Sequence, residues 1–495
     1  MWVQEPKPWK PHGYQKKAVK FLLEHACAAL FLDPGLGKTS ITLAAVSFLK
    51  KKKVLNKVLL IAPLRVAHSV WPGEIEKWTD FSGLKVVVLH GPEKESLLLQ
   101  NADVYVINPE GLDWLFDVKK TKTLTGKVQV SVNLKTRFSK ISPDTLVIDE
   151  LTKFKHTTSA RFKILKVVTG KFARRWGLTG SPAANGLMGL FGQCYVLDEG
   201  NALGKYVTKF KTEFFEPIDP QRFKWVPREG AEEKLFKKVS PLALRMSSED
   251  YLELPELNEI IHKIELPKEA MDAYHDLEDD LILELGDDSI TAINAAVLSG
   301  KCRQAASGAI YKDKNLEALV LNGFPLPTGK DAWVKIHDEK ITALESLVDE
   351  LQGQPLLVAY EFAHELQRFQ DIFGKDVPYI GGGVSPKKSK ELEKLWNRGE
   401  LPILFGHPQA IALGLNLQES GRHVCWYTTT WDYELYDQLN RRVWRQGNKS
   451  KSVFIHHIVA KGTIDEAVMR SIRSKKKGQN EFFQALKDLR SKRRK

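Results

Sequence analysis

Residues 29 to 39 read Ala-Leu-Phe-Leu-Asp-Pro-Gly-Leu-Gly-Lys-Thr. The apolar run from Ala28 to Leu32 predicts a short buried strand. Asp33, Pro34, Gly35 and Gly37 do not continue it comfortably, so the chain must turn. Lys38-Thr39 then opens an apolar-periodic helix from Ile41 to Leu49. A strand, a glycine-bearing turn and a helix N-terminus carrying Lys-Thr make a phosphate cradle. Backbone N–H groups around Gly35 and Gly37, with the helix dipole, meet the phosphates. Lys38 reaches the β and γ phosphates and Thr39 holds Mg²⁺. The strict pattern has a glycine where this chain has Leu32. Taken alone, the stretch also fits a Gly-rich turn before an ordinary helix.

The rest of the chain supplies the setting. Its 495 residues suggest two or more domains. Apolar residues make up 43% and charged residues 27%, as in a soluble globular protein. Lys plus Arg outnumber Asp plus Glu by 74 to 61, and the net charge of +13 favours a polyanionic partner. Cys27, Cys194, Cys302 and Cys425 are scattered, which indicates neither a disulfide framework nor a zinc ribbon. No run reaches ~18 apolar residues, so no membrane partner is expected. No signal-like stretch opens the chain, and the expected compartment is the reducing interior of a cell.

Tyr14-Gln15 begins a helix with an apolar face of Ala18, Val19, Leu22 and Leu23. Strands follow at Val58–Ile61, Val86–Leu89, Val104–Ile107 and Thr145–Ile148, and a last one at Arg174–Leu178. A helix is expected around Val70 to Trp78, and residues 119 to 139 read as a hairpin or a loose basic insertion. Strands alternating with helical stretches imply a parallel sheet covered on both faces. Residues 183 to 250 lose this rhythm and read as helix and loop packed on the first sheet. After Pro255 comes a strand at Ile260–Leu266, then a helical insertion. A second αβ series starts at Leu356 and runs to Val453–Ile458. The expected domains are 1–250, with a helical extension 183–250; 251–470, with a helical insertion at 268–335; and a basic tail helix, 471–495.

A bound triphosphate needs a second anchor for its metal. Leu146-Val147-Ile148-Asp149-Glu150 ends an apolar strand in paired acids. Asp149 would hold Mg²⁺, and Glu150 would orient or deprotonate the attacking water. Both stand beside the phosphates if their strand neighbours the cradle strand. Positive charge on the leaving phosphate is also needed. Arg442 and Arg445, three apart, are expected to share one helix face. The plainer alternatives are a capped strand end and a solvated basic helix.

Together these segments resemble the superfamily 2 helicases and translocases, most closely the SNF2-like branch. Tyr14-Gln15 resembles the Q motif, where the glutamine reads the adenine edge. Asp33 to Thr39 resembles motif I, and Ala62-Pro63-Leu64 resembles motif Ia. Asn108-Pro109-Glu110 sits where the next backbone-touching motif is expected. Asp149-Glu150-Leu151-Thr152 resembles motif II, although the family's usual form ends in Ala-His or Gly-His. Leu178-Thr179-Gly180-Ser181-Pro182 matches motif III. Gly414-Leu415-Asn416-Leu417 matches motif V. Gln438 through Gly447 matches motif VI, and Arg442 and Arg445 inherit arginine-finger roles. Leu244-Arg245 and Leu254-Pro255 fit the family's junction between lobes.

The resemblance covers residues 12 to 470. It implies an α/β fold of two RecA-like parallel-sheet lobes with helical insertions. ATP and Mg²⁺ are the implied cofactors, bound by Gln15, Gly35, Gly37, Lys38, Thr39 and Gly414. DNA is the implied partner, gripped with little sequence preference at Pro63, Arg65, Asn108, Thr179, Gly180, Ser181, His407 and Asn416. A monomer in the cytoplasm or nucleoid, or in a host cell if phage-encoded, fits this reading. A protein partner for loading stays open. So does the choice between a duplex translocase and an unwinding helicase. The stretch 119 to 139 offers no aromatic wedge except Phe138, which favours translocation. An RNA motor, a nucleotide-regulated binding module and a restriction subunit are the remaining readings.

Overall fold

The computed structural model describes residues 5–122, 128–183, 186–218, 225–285, 292–311, 333–412 and 414–475. Expectations for the tail beyond residue 475, and for parts of the 119–139 and 268–335 segments, lie outside these residues. The chain divides into two compact units, with the break after Leu252 and the second unit running Glu253–Ser474.

Unit 1 is built on strands β1 (Cys27–Leu32), β2 (Val58–Ile61), β3 (Val86–Val88) and β4 (Val104–Ile107). A basic hairpin follows, β5 (Lys119–Lys122) with β6 (Val128–Ser131). Then come β7 (Thr145–Asp149), β8 (Arg174–Thr179), the small pair β9 (Phe215–Pro217) and β10 (Trp225–Pro227), and β11 (Ala243–Met246). The main sheet has the order β11-β1-β8-β7-β2-β4-β3, parallel at every step. Strands β2 and β4 are buried at every residue, as expected where helices cover both faces. Three of its helices matter for the site: α1 (Gly13–Glu24), α2 (Lys38–Lys51) and α3 (Leu64–Lys77).

Three expectations are corrected here. Arg174–Thr179 is not the last strand, because β11 pairs with β1 from within the stretch read as helix and loop. Its shortness and the arginine at its third position hid it. Nor is the acidic strand a neighbour of the cradle strand, because β8 lies between them. Helix α3 also starts earlier than expected, at the end of β2 rather than near Val70.

Unit 2 contains β12 (Glu256–Ile264), the small pair β13 (Ala309–Tyr311) and β14 (Trp333–Lys335), and β15 (Leu356–Ala359). It continues with β16 (Tyr379–Ile380), β17 (Ile403–Gly406), β18 (His423–Trp426) and β19 (Ser452–Ala460). Its six-stranded sheet has the order β12-β19-β18-β15-β17-β16, again all parallel. Helices Lys268–Leu285 and Ala292–Ala306 form the insertion, with the satellite core of Tyr274, Leu277, Cys302 and Ile310. The two sheets are the two RecA-like lobes that the resemblance implies.

A row of histidines crosses three adjacent strands of this sheet. His262 on β12 lies 3.0 Å from His456 on β19, which lies 3.0 Å from His423 on β18. His423 ends the row on Gln354 Oε1 at 3.1 Å, an oxygen that also accepts from the Arg422 guanidinium at 2.7 Å. Because Arg422 only donates, Gln354 must accept, and every ring in the row is then a neutral Nε2–H tautomer. Burial pushes His456 down to about 3 and His423 to about 4, with Arg422 adding to the latter. Burial also pushes His337 to about 3 and His364 to about 4.

Histidines that charge more easily unfolded than folded stabilise the protein above pH ~6.5 and destabilise it progressively below. We therefore expect the unfolding free energy from urea titration to fall between pH 6.5 and pH 5, by about 1–2 kcal/mol for each buried ring, and the urea midpoint to fall with it. A midpoint that holds constant over this window would contradict neutral burial of these rings.

Candidate functional site

The turn expected to cradle phosphates joins β1 to α2 in unit 1. Gly35 and Gly37 adopt φ of +95° and +81°, a region where a side chain is strained. A Cβ at Gly37 would also lie 2.6 Å from Nε2 of Gln15. That glutamine is buried on α1, donates to the Leu36 carbonyl at 3.3 Å and accepts from the His12 amide at 2.9 Å. It therefore braces the turn from behind. Helix α2 begins at Lys38, with Gly37 as its N-cap and Thr39 in its first turn. The Lys38 amine folds back onto the Leu32 carbonyl at 2.7 Å.

Asp33, the first residue of the turn, is buried in an ion pair with Arg245 of β11, 2.6 Å away. It also accepts from the Ser248 amide at 3.0 Å and the Ser248 hydroxyl at 3.1 Å. Arg245 donates in addition to the Phe31 carbonyl at 2.9 Å. In the sequence, Arg245 could be placed only near a lobe junction. The structure makes it the counter-ion that fixes where the cradle starts.

Strands β1, β8 and β7 run parallel, so their carboxyl ends bring Leu32, Thr179 and Asp149 to one edge. Open α/β sheets bind ligands at such edges. Asp149 Oδ2 accepts from the indole N–H of Trp71, on α3, at 2.8 Å. Desolvation raises the Asp149 carboxyl above its ordinary value, and the indole bond, the Lys38 charge and the Glu150 amide oppose that rise. Glu150 sits at φ +65°, a strained conformation that turns the chain sharply at the strand end. Its Oε1 accepts from Thr152 Oγ1 at 2.7 Å and from Thr179 Oγ1 at 3.0 Å. Thr179 Oγ1 in turn accepts from the Ser181 amide at 3.1 Å. One carboxylate oxygen thus joins the acidic turn to the Thr-Gly-Ser turn of β8.

This network explains the unusual Leu151-Thr152. Thr152 is buried and puts its hydroxyl on Glu150 where the family pattern has a histidine. Leu151 is buried against Gly177 of β8, where a Cβ would lie 2.7 Å from Leu151 Cδ2. The larger residue at 151 is accommodated by the missing side chain at 177.

The residues expected to grip nucleic acid separate into two groups. Pro63 caps α3, Arg65 is half-buried in its first turn, and half-buried Asn108 follows β4 with its amide on Glu110. Thr179 and Ser181 are buried, with Thr179 committed to Glu150, so their side chains belong to the acidic site rather than to a surface. Gly180 is half-exposed, and a Cβ there would sit 3.0 Å from Pro34 of the cradle. Phe138 is buried with Phe116 and Phe172 and offers no exposed wedge.

In unit 2, His407 precedes the short helix Pro408–Ile411 at the end of β17. Gly414 has φ +81°, and Asn416 is exposed just beyond it. Arg442 lies in the last turn of helix Tyr433–Val443 and donates to the Leu415 carbonyl at 3.2 Å and to that of Ala412. Arg445 lies past the helix end and donates to Asn416 Oδ1 at 2.6 Å. The two arginines therefore do not share a helix face, because the helix stops before Trp444. Both instead converge on the Gly414–Leu417 loop.

The SNF2-related domain model matches residues 14–314, and the helicase conserved C-terminal domain model matches 339–447. Protein p41 of Acyrthosiphon pisum secondary endosymbiont phage 1 is 34% identical, over 97% of this chain and 99% of its own length. The ATP-dependent helicase/translocase YwqA of Bacillus subtilis is 24% identical over 95% of this chain. The match spans only 48% of YwqA. The SWI2/SNF2 ATPase core of Sulfolobus solfataricus, solved with dsDNA, is 21% identical over 95% of this chain and 92% of its own, with a TM-score of 0.42. Among the described residues no helix is long and apolar enough to cross a membrane. With the SNF2-related model over more than half of its length and the helicase C-terminal model following it, the chain belongs to the SNF2-related ATP hydrolases of helicase superfamily 2.

Proposed function

We propose that this protein is a DNA-dependent ATPase that moves along duplex DNA, coupling Mg-ATP hydrolysis to displacement or remodelling of DNA or DNA–protein complexes. The observation that carries this reading is Glu150 Oε1, shared by Thr152 and Thr179. It ties the residue that would take the proton of the attacking water to the Thr-Gly-Ser turn beside the cradle. Buried Phe138, which offers no exposed wedge, supports movement along duplex over strand separation.

In this reading Lys38 leaves the Leu32 carbonyl for the β and γ phosphates, and Gln15 offers its amide to the adenine. Thr39 and Asp149 offer a hydroxyl and a carboxylate, hard oxygen donors suited to Mg²⁺. Among the described residues no cluster of three or more His, Cys, Asp or Glu could hold a metal by itself. That fits an ion held largely by substrate phosphates and water. When bound, Mg²⁺ neutralises charge on the phosphates. Arg442 and Arg445 stabilise the charge that develops on the leaving phosphate. Pro63, Arg65, Asn108, Gly180, His407 and Asn416 grip the DNA backbone, and the site of action is the cytoplasm of the cell or phage host.

The test is ATP turnover at fixed salt without nucleic acid and with single-stranded DNA, duplex DNA, forked DNA and RNA. Stimulation by plain duplex, followed by displacement of a triplex strand, is the expected result. Stimulation only by single-stranded or forked DNA would replace this reading with an unwinding helicase. Glu150→Gln should abolish turnover and spare nucleotide binding, since shape is kept and the base is lost.

A further inference from the structure

Helix α3 joins two parts of unit 1 that have so far been treated separately. Its first residues, capped by Pro63, follow directly from β2 and carry Arg65. Its buried face is Val66, Ala67, Trp71 and Ile75. Trp71 is 2% exposed, and the only polar atom of its side chain donates to Asp149 Oδ2 at 2.8 Å. From Arg65 to Trp71 the helix rises about 9 Å, less than two turns. Pro72 comes next and has no N–H for the carbonyl of His68. The ladder is thus interrupted immediately beyond the tryptophan.

A buried indole N–H needs an acceptor, and many polar groups would serve. Here the acceptor is the carboxylate that the donor chemistry assigns to the metal. Any shift of α3 along its axis changes the distance from the indole to Asp149. It also changes how much of the lone-pair density on Oδ2 is committed to Trp71. A contact that pulls on Pro63–Arg65 therefore reaches the metal carboxylate through a single helix segment.

Resting on the reading of a DNA-stimulated ATPase, we propose that Trp71 is a positioning residue. It conveys backbone contact at the start of α3 to Asp149, so that duplex binding and Mg-nucleotide binding strengthen each other. The coupling is thermodynamic and so reciprocal: duplex tightens Mg-nucleotide binding by the same factor as Mg-nucleotide tightens duplex binding.

The experiment measures binding of a fluorescent, non-hydrolysable ATP analogue by the full chain, as a function of Mg²⁺, with and without a short duplex. In the unaltered protein the duplex should tighten Mg²⁺-dependent binding by about fivefold or more. In Trp71→Phe, which keeps an aromatic ring and loses the N–H, that factor should fall to within about twofold of unity. The reverse titration, duplex affinity with and without Mg-analogue, should lose the same factor. A coupling factor in Trp71→Phe equal to that of the unaltered protein would overturn the proposal. Absence of coupling in the unaltered protein would overturn both the proposal and the duplex-motor reading on which it rests. Coupling present there and retained in the variant would sink the proposal alone. Should Trp71→Phe not fold, β-(3-benzothienyl)alanine at position 71 replaces the N–H by sulfur at nearly constant shape and gives the same comparison.

Discussion

Lys38→Ala is expected to lower ATP turnover by about 10²- to 10³-fold, the scale of removing one preorganised charge from a transition state. The lysine opens α2 immediately after two glycines in left-handed conformations, and only such a turn aims the first-turn amides and this amine at one point. In the structure the amine rests on the Leu32 carbonyl, a neutral acceptor that it can exchange for a phosphate. Its charge also opposes the desolvation of Asp149. On the proposed reading the variant loses a ligand of the phosphates, and it raises the Asp149 carboxyl further. Folding should survive, because a hydrogen bond from a charged group is worth about 1.5–3 kcal/mol, a part of a domain's total stability. Steady-state turnover with a thermal melt alongside separates the two effects. Turnover within tenfold of the unaltered protein would remove Lys38 from the site.

Arg245→Ala should have the largest effect on stability. The Asp33–Arg245 pair is almost wholly buried, with each side chain about 4% exposed. Removing one partner leaves a buried carboxylate without its counter-ion, which costs about 3–5 kcal/mol. Ser248 still donates two hydrogen bonds to Asp33, which places the loss toward the lower end of that range. For a unit of this size the melting temperature should fall by roughly 6–15 °C. Asp33→Leu combined with Arg245→Met removes both charges and should be less damaging than Arg245→Ala alone. A melting point for Arg245→Ala within 2 °C of the original, allowing for ~2–4 °C per kcal/mol, would mean that the pair contributes little.

The strands carrying the site were legible because parallel strands buried on both faces read as apolar runs ending at chemistry-bearing residues. Val58–Ile61 and Thr145–Asp149 are plain instances. Lateral order was not legible: nothing in either run says that β8 inserts between β1 and β7. That insertion is what lets Thr179 reach Glu150. Ala243–Met246 was missed because its arginine is buried by an ion pair with a residue distant in sequence. The spacing of Arg442 and Arg445 was read as helical, but a period does not reveal where a helix stops. Trp444 leaves the helix with ψ +84° and bonds the Pro255 carbonyl at 2.8 Å, which carries Arg445 off the expected face. Trp71 gave no signal at all, since an indole donor is indistinguishable from core until its acceptor is known.

Leu151 follows β7 and Gly177 lies within β8, yet the leucine fills the space that a side chain at 177 would need. They are therefore a single unit of exchange. Grafting the family's more usual Asp-Glu-Ala-His onto this chain would empty the space beside Gly177 and place an imidazole where Thr152 now meets Glu150. A side chain introduced at 177 with Leu151 retained would force the leucine to shift. Anyone building chimaeras between this protein and other members of the family should move the acidic turn and β8 together, because each has been cut to the shape of the other.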